Sequence, residues 1–140
     1  MGSDSRGEGV AHELIRSSGE LPSPPEIVAL LRQEFRYVRS EPQLALQAAA
    51  AQAAWIRRAN PAVFLGRHAE ALAGAAKLDK LSADEVLWVE FGDTEDELLH
   101  FAIWPGQTIK FGYASSEDEA RALPMVARCA HVLDCEFIEI

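Results

Sequence analysis

Apolar side chains recur at helical spacing through the first half of the chain and alternate with polar ones through much of the second. Ile27, Leu30, Leu31, Phe35 and Val38 form one stripe, with Arg32, Arg36 and Arg39 on the other side. Ser23-Pro24-Pro25-Glu26 ahead of that stripe reads as a capping box with proline at the first helical position. Ser40-Glu41-Pro42-Gln43 repeats the device and predicts a second helix through Leu44, Leu46, four consecutive alanines and Trp55-Ile56. Arg57 and Arg58 suit its C-terminal end against the helix dipole. Asn60-Pro61 predicts a third helix carrying Phe64, Leu65, His68, Leu72 and Ala75 and ending near Leu78.

The period then changes. Val86–Phe91, Leu98–Trp104 and Thr108–Tyr113 read as strands, separated by a polar loop over 92–97 and a Pro105-Gly106-Gln107 turn. Ser116-Glu117-Asp118-Glu119 opens a fourth helix to about Leu133, which Pro124 should kink or restart. Asp134–Ile140 reads as a last strand. A three-residue loop at 105–107 would pair Ile103 with Ile109, Phe101 with Phe111 and Leu99 with Tyr113. One face is then uniformly apolar, joined by Leu87, Val89 and Phe91. The opposite face carries Trp88, Glu90, His100, Ala102, Trp104, Lys110 and Gly112.

The expected fold is α+β: an N-terminal three-helix segment followed by a βββαβ unit forming a mixed four-stranded sheet. Residues 23–140 make the single α+β domain. Residues 1–22 are polar and glycine-rich and read as a mobile tail, with Val10, Leu14 and Ile15 able to form one docking helical turn. Removing residues 1–9 should then cost less than about 0.5 kcal/mol.

Length and charge narrow the picture further. At 140 residues and 49% hydrophobic, the chain can bury one core. The longest uncharged run, Pro42–Ile56, is too short and glutamine-bearing to span a bilayer, and the start lacks the apolar segment of a secretory signal. Two cysteines do not make a disulfide framework, which points to a reducing, cytoplasmic setting. Arginine outnumbers lysine ten to three, an association with GC-rich bacterial genomes. Residues 1–81 hold nine acids against ten bases, whereas 82–140 hold thirteen against three, a net of −10. Such a surface repels phosphate backbones, so nucleic acid is not an expected partner, and neither is a membrane.

Two functional readings follow. The leading one is a non-enzymatic cytoplasmic protein-interaction module, of the adaptor, chaperone or immunity class, that meets a basic partner through an acidic pole. Chain direction brings the 92–97 loop, the start of the fourth helix and the end of the last strand to one end of the sheet. The pole would comprise Asp93, Glu95, Asp96, Glu97, Glu117, Asp118 and Glu119. Reversing Asp93, Asp96 and Asp118 to lysine should then leave the fold intact. The alternative is a small-molecule-binding or enzymatic domain with a pocket on the mixed sheet face, lined by Trp88, His100, Trp104 and Lys110.

No cofactor and no metal are expected. The acidic loop lacks EF-hand spacing, and Cys129, His131 and Cys135 lack a second ligand pair at zinc spacing. No nucleophile elbow or phosphate-binding glycine loop is present.

Overall fold

A computed structural model describes residues 11–140. Met1–Val10, with the expected dispensability of residues 1–9, lie outside the described residues. The elements are β1 (Ala11–Arg16), α1 (Pro24–Glu34), β2 (Tyr37–Ser40), α2 (Pro42–Arg58), α3 (His68–Leu78), β3 (Leu87–Thr94), β4 (Glu97–Ile103), β5 (Ile109–Gly112), α4 (Ser116–Val132) and β6 (Cys135–Glu139). The class is α+β, but the strands make two three-stranded antiparallel sheets, β5-β1-β6 and β2-β3-β4. The expected mixed four-stranded sheet is not formed.

The difference starts at the N-terminus. Residues 11–16, expected in the tail, form β1, the central strand of one sheet. His12 and Leu14 point inward at alternate positions, and Leu14 has no exposed surface. β5 pairs with β1, setting Leu14 opposite Ile109 and His12 opposite Phe111, instead of laddering with β4. The expected pairs across the 105–107 turn are therefore absent. The burial assignment of those strands survives the change, because alternation is a property of each strand whichever neighbour it pairs with. Leu87, Val89, Phe91, Phe101, Ile103, Ile109 and Phe111 all lie in the main core.

Three helix expectations also change. Ser23 does cap α1, its hydroxyl accepting from the Glu26 amide. The helix stops at Glu34, however, because Phe35 is extended and Tyr37–Ser40 pair with β3. Phe35 and Val38 still pack in the core, but from outside the helix. The cap of α2 is Glu41, with no side-chain bond. Asn60 accepts from the Ala62 amide, but this starts only a 3₁₀ turn, Pro61–Phe64. Leu65 and Gly66 then take left-handed conformations (φ 49° and 86°) that end it before α3 begins. Near the C-terminus Ser115 caps α4, accepting from the Asp118 amide at 3.1 Å, and the helix runs through Pro124 without restarting.

β3 extends to Thr94, so the predicted 92–97 loop is largely strand, with Glu95 and Asp96 at the hairpin tip. The ladder is irregular between Phe91 and Thr94. Gly92 permits this, since a Cβ there would lie 2.3 Å from the Glu97 carbonyl oxygen.

α1 and α4 cover the inner, apolar face of the sheets. α2 runs against β3 and β4, and α3 packs on α2. Ala45, Ala49 and Ala53 of α2 are fully buried, small enough for these close approaches. No helix among the described residues is long and apolar enough to cross a membrane.

Candidate functional site

β4 and β5 touch through the edge-to-face rings of Phe101 and Phe111, 5.9 Å apart, yet share no ladder. A cleft of about 750 Å³ lies along them. Its walls and rim come from five elements. β3 and β4 present Trp88 and His100, β5 presents Lys110, and α4 presents Asp118, Arg121 and Met125. Leu44 and Ala48 of α2 close one rim. Three of the four residues predicted for a pocket thus line one cleft. Trp104 does not; it borders a second cavity of about 620 Å³ beside Leu14 and Pro24. It falls just past the end of β4, where the chain turns toward β5.

Trp88 and His100 stand side by side, with ring centroids 6.0 Å apart. Arg39 lies over the Trp88 ring at 5.2 Å and donates to Glu90 at 2.9 Å. Glu90, a charged member of the mixed face, is therefore already paired. Lys110 is exposed, and among the described residues no carboxylate forms an ion pair with it.

The seven residues of the expected acidic pole divide. Asp93 is clamped by Arg128, whose guanidinium donates to it at 2.5 and 3.1 Å. The same guanidinium donates to the Glu34 carboxylate (2.9 Å) and to the Glu34 carbonyl (2.9 Å), and lies 4.5 Å from the centre of the Phe35 ring. Glu117 and Asp118 meet Arg121 at 3.5 and 3.6 Å, and Glu119 meets His12 at 3.8 Å. Glu95, Asp96 and Glu97 are exposed, with no cation paired to them among the described residues.

Asp93 consequently ties β3 to α4 and α1, and its charge is paired. Asp93→Lys should lower the melting temperature, whereas Asp96→Lys should leave it nearly unchanged. The sequence alone leads to the expectation that both reversals spare the fold, and thermal melts of the two variants decide between these outcomes. The hydrogen bond from Arg128 also holds the Asp93 carboxyl below its ordinary value of 3.8. A depressed folded value stabilises above the ordinary pKa and is lost as pH falls through the folded one. Arg128→Ala should therefore flatten the acid limb of stability below about pH 4 in a series of urea melts. Equal acid sensitivity in the two proteins would remove this role for the pair.

A second cluster was not visible in the sequence. His12 is only 5% exposed. Its Nδ1 lies 2.9 Å from the Tyr113 hydroxyl, and its Nε2 faces the Glu119 carboxylate at 3.8 Å. Glu139 is its cross-strand partner on β6. One ligand atom from each of His12, Glu119 and Glu139 lies within 4.8 Å of the others. Phe137 and Tyr113 both set ring edges against the imidazole at 5.4 Å. Burial, and then the charge of Glu119, push the Tyr113 phenol up to about 12, so it stays protonated. The one sequence signal was His12 at alternate spacing with Leu14.

Cys129, His131 and Cys135 form no such cluster among the described residues. Cys129 is buried, which raises its thiol pKa, and Cys135 is raised in the same way. Both are poor nucleophiles and poor ligands at neutral pH.

No family model matches this chain, and searches of curated proteins and of solved structures likewise give no match.

Proposed function

We propose that this chain is a binding module whose ligand occupies the cleft between β4 and β5. The observation that carries the reading is the convergence of Trp88, His100 and Lys110 on one cleft with an apolar floor of Phe101, Phe111 and Met125. Its volume of about 750 Å³ suits a small molecule; such sites span roughly 300–1,000 Å³. Lys110 supplies a cation not paired within the described chain, so the ligand that fits is an aromatic or apolar body bearing an anionic group. The lining offers no hydroxyl or thiol nucleophile. It contains no serine, threonine or cysteine, and its one phenol, Tyr113, is engaged with His12.

Anilinonaphthalene sulfonate has this chemistry and serves as the probe. It should bind the native protein saturably, and Lys110→Glu should weaken it roughly tenfold, about 1.4 kcal/mol. Lys77→Glu, at the end of α3 away from the cleft lining, should change nothing. Equal affinity in all three proteins would remove the cleft as the site.

A second reading keeps the acidic surface. Glu95 and Asp96 at the hairpin tip and Glu97 at the start of β4 carry charge not paired among the described residues, which suits a basic protein partner. In that case reversing them to lysine slows capture of a lysine-rich peptide and removes its salt dependence. An unchanged association rate would leave these acids a solubility role alone.

A further inference from the structure

His12 has one ring nitrogen engaged by Tyr113 and the other turned toward two carboxylates. The residue is 5% exposed, and its Nε2 faces the Glu119 carboxylate at 3.8 Å, just beyond hydrogen-bond range. If Nδ1 donates to Tyr113, Nε2 turns a bare lone pair toward two carboxylates. If Tyr113 donates to Nδ1, the Nε2 proton points at them from beyond bonding range. A cation between the three groups resolves the first arrangement.

We infer that His12, Glu119 and Glu139 form a binding site for a divalent transition-metal ion of the zinc class. The two carboxylates balance a 2+ charge. Imidazole selects borderline metals over calcium and magnesium, which prefer all-oxygen sets. Ligands about 2.0–2.2 Å from a tetrahedral zinc are separated by roughly 3.3 Å. The observed 3.8 Å from Nε2 to Glu119, and a cluster held within 4.8 Å, need only small side-chain rotations. Glu139 is exposed and Glu119 partly so, hence both are free to make them.

The surroundings match a metal ligand's needs. His12 and Glu139 face each other across a strand pair, which fixes their spacing. Glu119 arrives from the first turn of α4, whose cap at Ser115 sets its position. With Nδ1 donating to the Tyr113 hydroxyl, Nε2 is left free for a metal, the arrangement that second partners of metal-bound histidines provide. Three protein ligands leave one position open, to water or to a substrate. This site requires nothing of the ligand reading of the cleft, and its test reads the metal directly.

Chelator-treated full-length protein is titrated with ZnCl₂ by calorimetry and thermal unfolding, and with CoCl₂ by absorption spectroscopy. One equivalent of zinc should bind and raise the melting temperature. Glu139→Gln, on an exposed side chain, should fold normally and weaken zinc at least tenfold. Tyr113→Phe should weaken it by about 10-fold or more through loss of its hold on His12. The cobalt spectrum should show nitrogen and oxygen donors only.

Undiminished zinc affinity in Glu139→Gln and Glu119→Gln overturns the site. So does a thiolate charge-transfer band, which places the metal on the cysteines. A melting temperature that ignores zinc also overturns it.

Discussion

Phe101→Asp should destabilise the protein by about 4 kcal/mol or more, enough to unfold most of it if its total stability is ordinary. Phe101 is 3% exposed and touches Phe91 and Phe111 edge to face, with centroids 6.1 and 5.9 Å away. A carboxylate there loses the aromatic burial and has no cation to meet, since the neighbouring core is apolar. Lys110→Asp is the matched control. Lys110 is exposed on β5, opposite Glu13 of β1, so the change adds one like-charge neighbour and should cost within about 1 kcal/mol. Urea melts of the two variants give the ordering. A larger loss in Lys110→Asp would mean that the inward faces of β4 and β5 are reversed.

The next largest effect tests β1. Leu14→Ala should cost about 3 kcal/mol, the usual range for a fully buried leucine being roughly 2–5. Leu14 sits between Ile109 on β5 and Phe137 on β6 and joins the main core from the middle strand of its sheet. Removing it leaves a cavity that both neighbours border and neither backbone can close. The neighbouring Ile15 is 40% exposed on the other face, so Ile15→Ala should cost less than about 1 kcal/mol. Comparable, small losses at both positions would return residues 11–16 to the tail.

Much of the local structure was legible in the chain. Helix starts at Ser23 and near Ser115 depend on a side-chain oxygen a few residues from the amides it caps, so they are readable in a short window. Strand faces are equally local. Alternation put Phe101, Ile103, Ile109 and Phe111 on the buried side whichever strands became neighbours. The same alternation placed Trp88, His100 and Lys110 on one side, and these three do meet in the cleft. Chain direction also brought Glu139 to the start of α4, where it lies near Glu119.

Partnership was not local, and the tertiary structure decided it. Every strand offers the same backbone donors and acceptors, so nothing within β5 distinguishes β4 from β1 as its neighbour. The choice depends on burying Leu14, which with Val10 and Ile15 reads as at most one docking helical turn of a polar tail until a sheet forms around it. The fate of the acids follows from the same packing. Arg128 reaches Asp93 across 35 positions of sequence, and His12 reaches Tyr113 across 101. Sequence by itself determined which residues are apolar, which alternate and where helices can begin. Which charges neutralise one another, and which histidine is buried against two carboxylates, depends on contacts that exist only once distant segments are packed together.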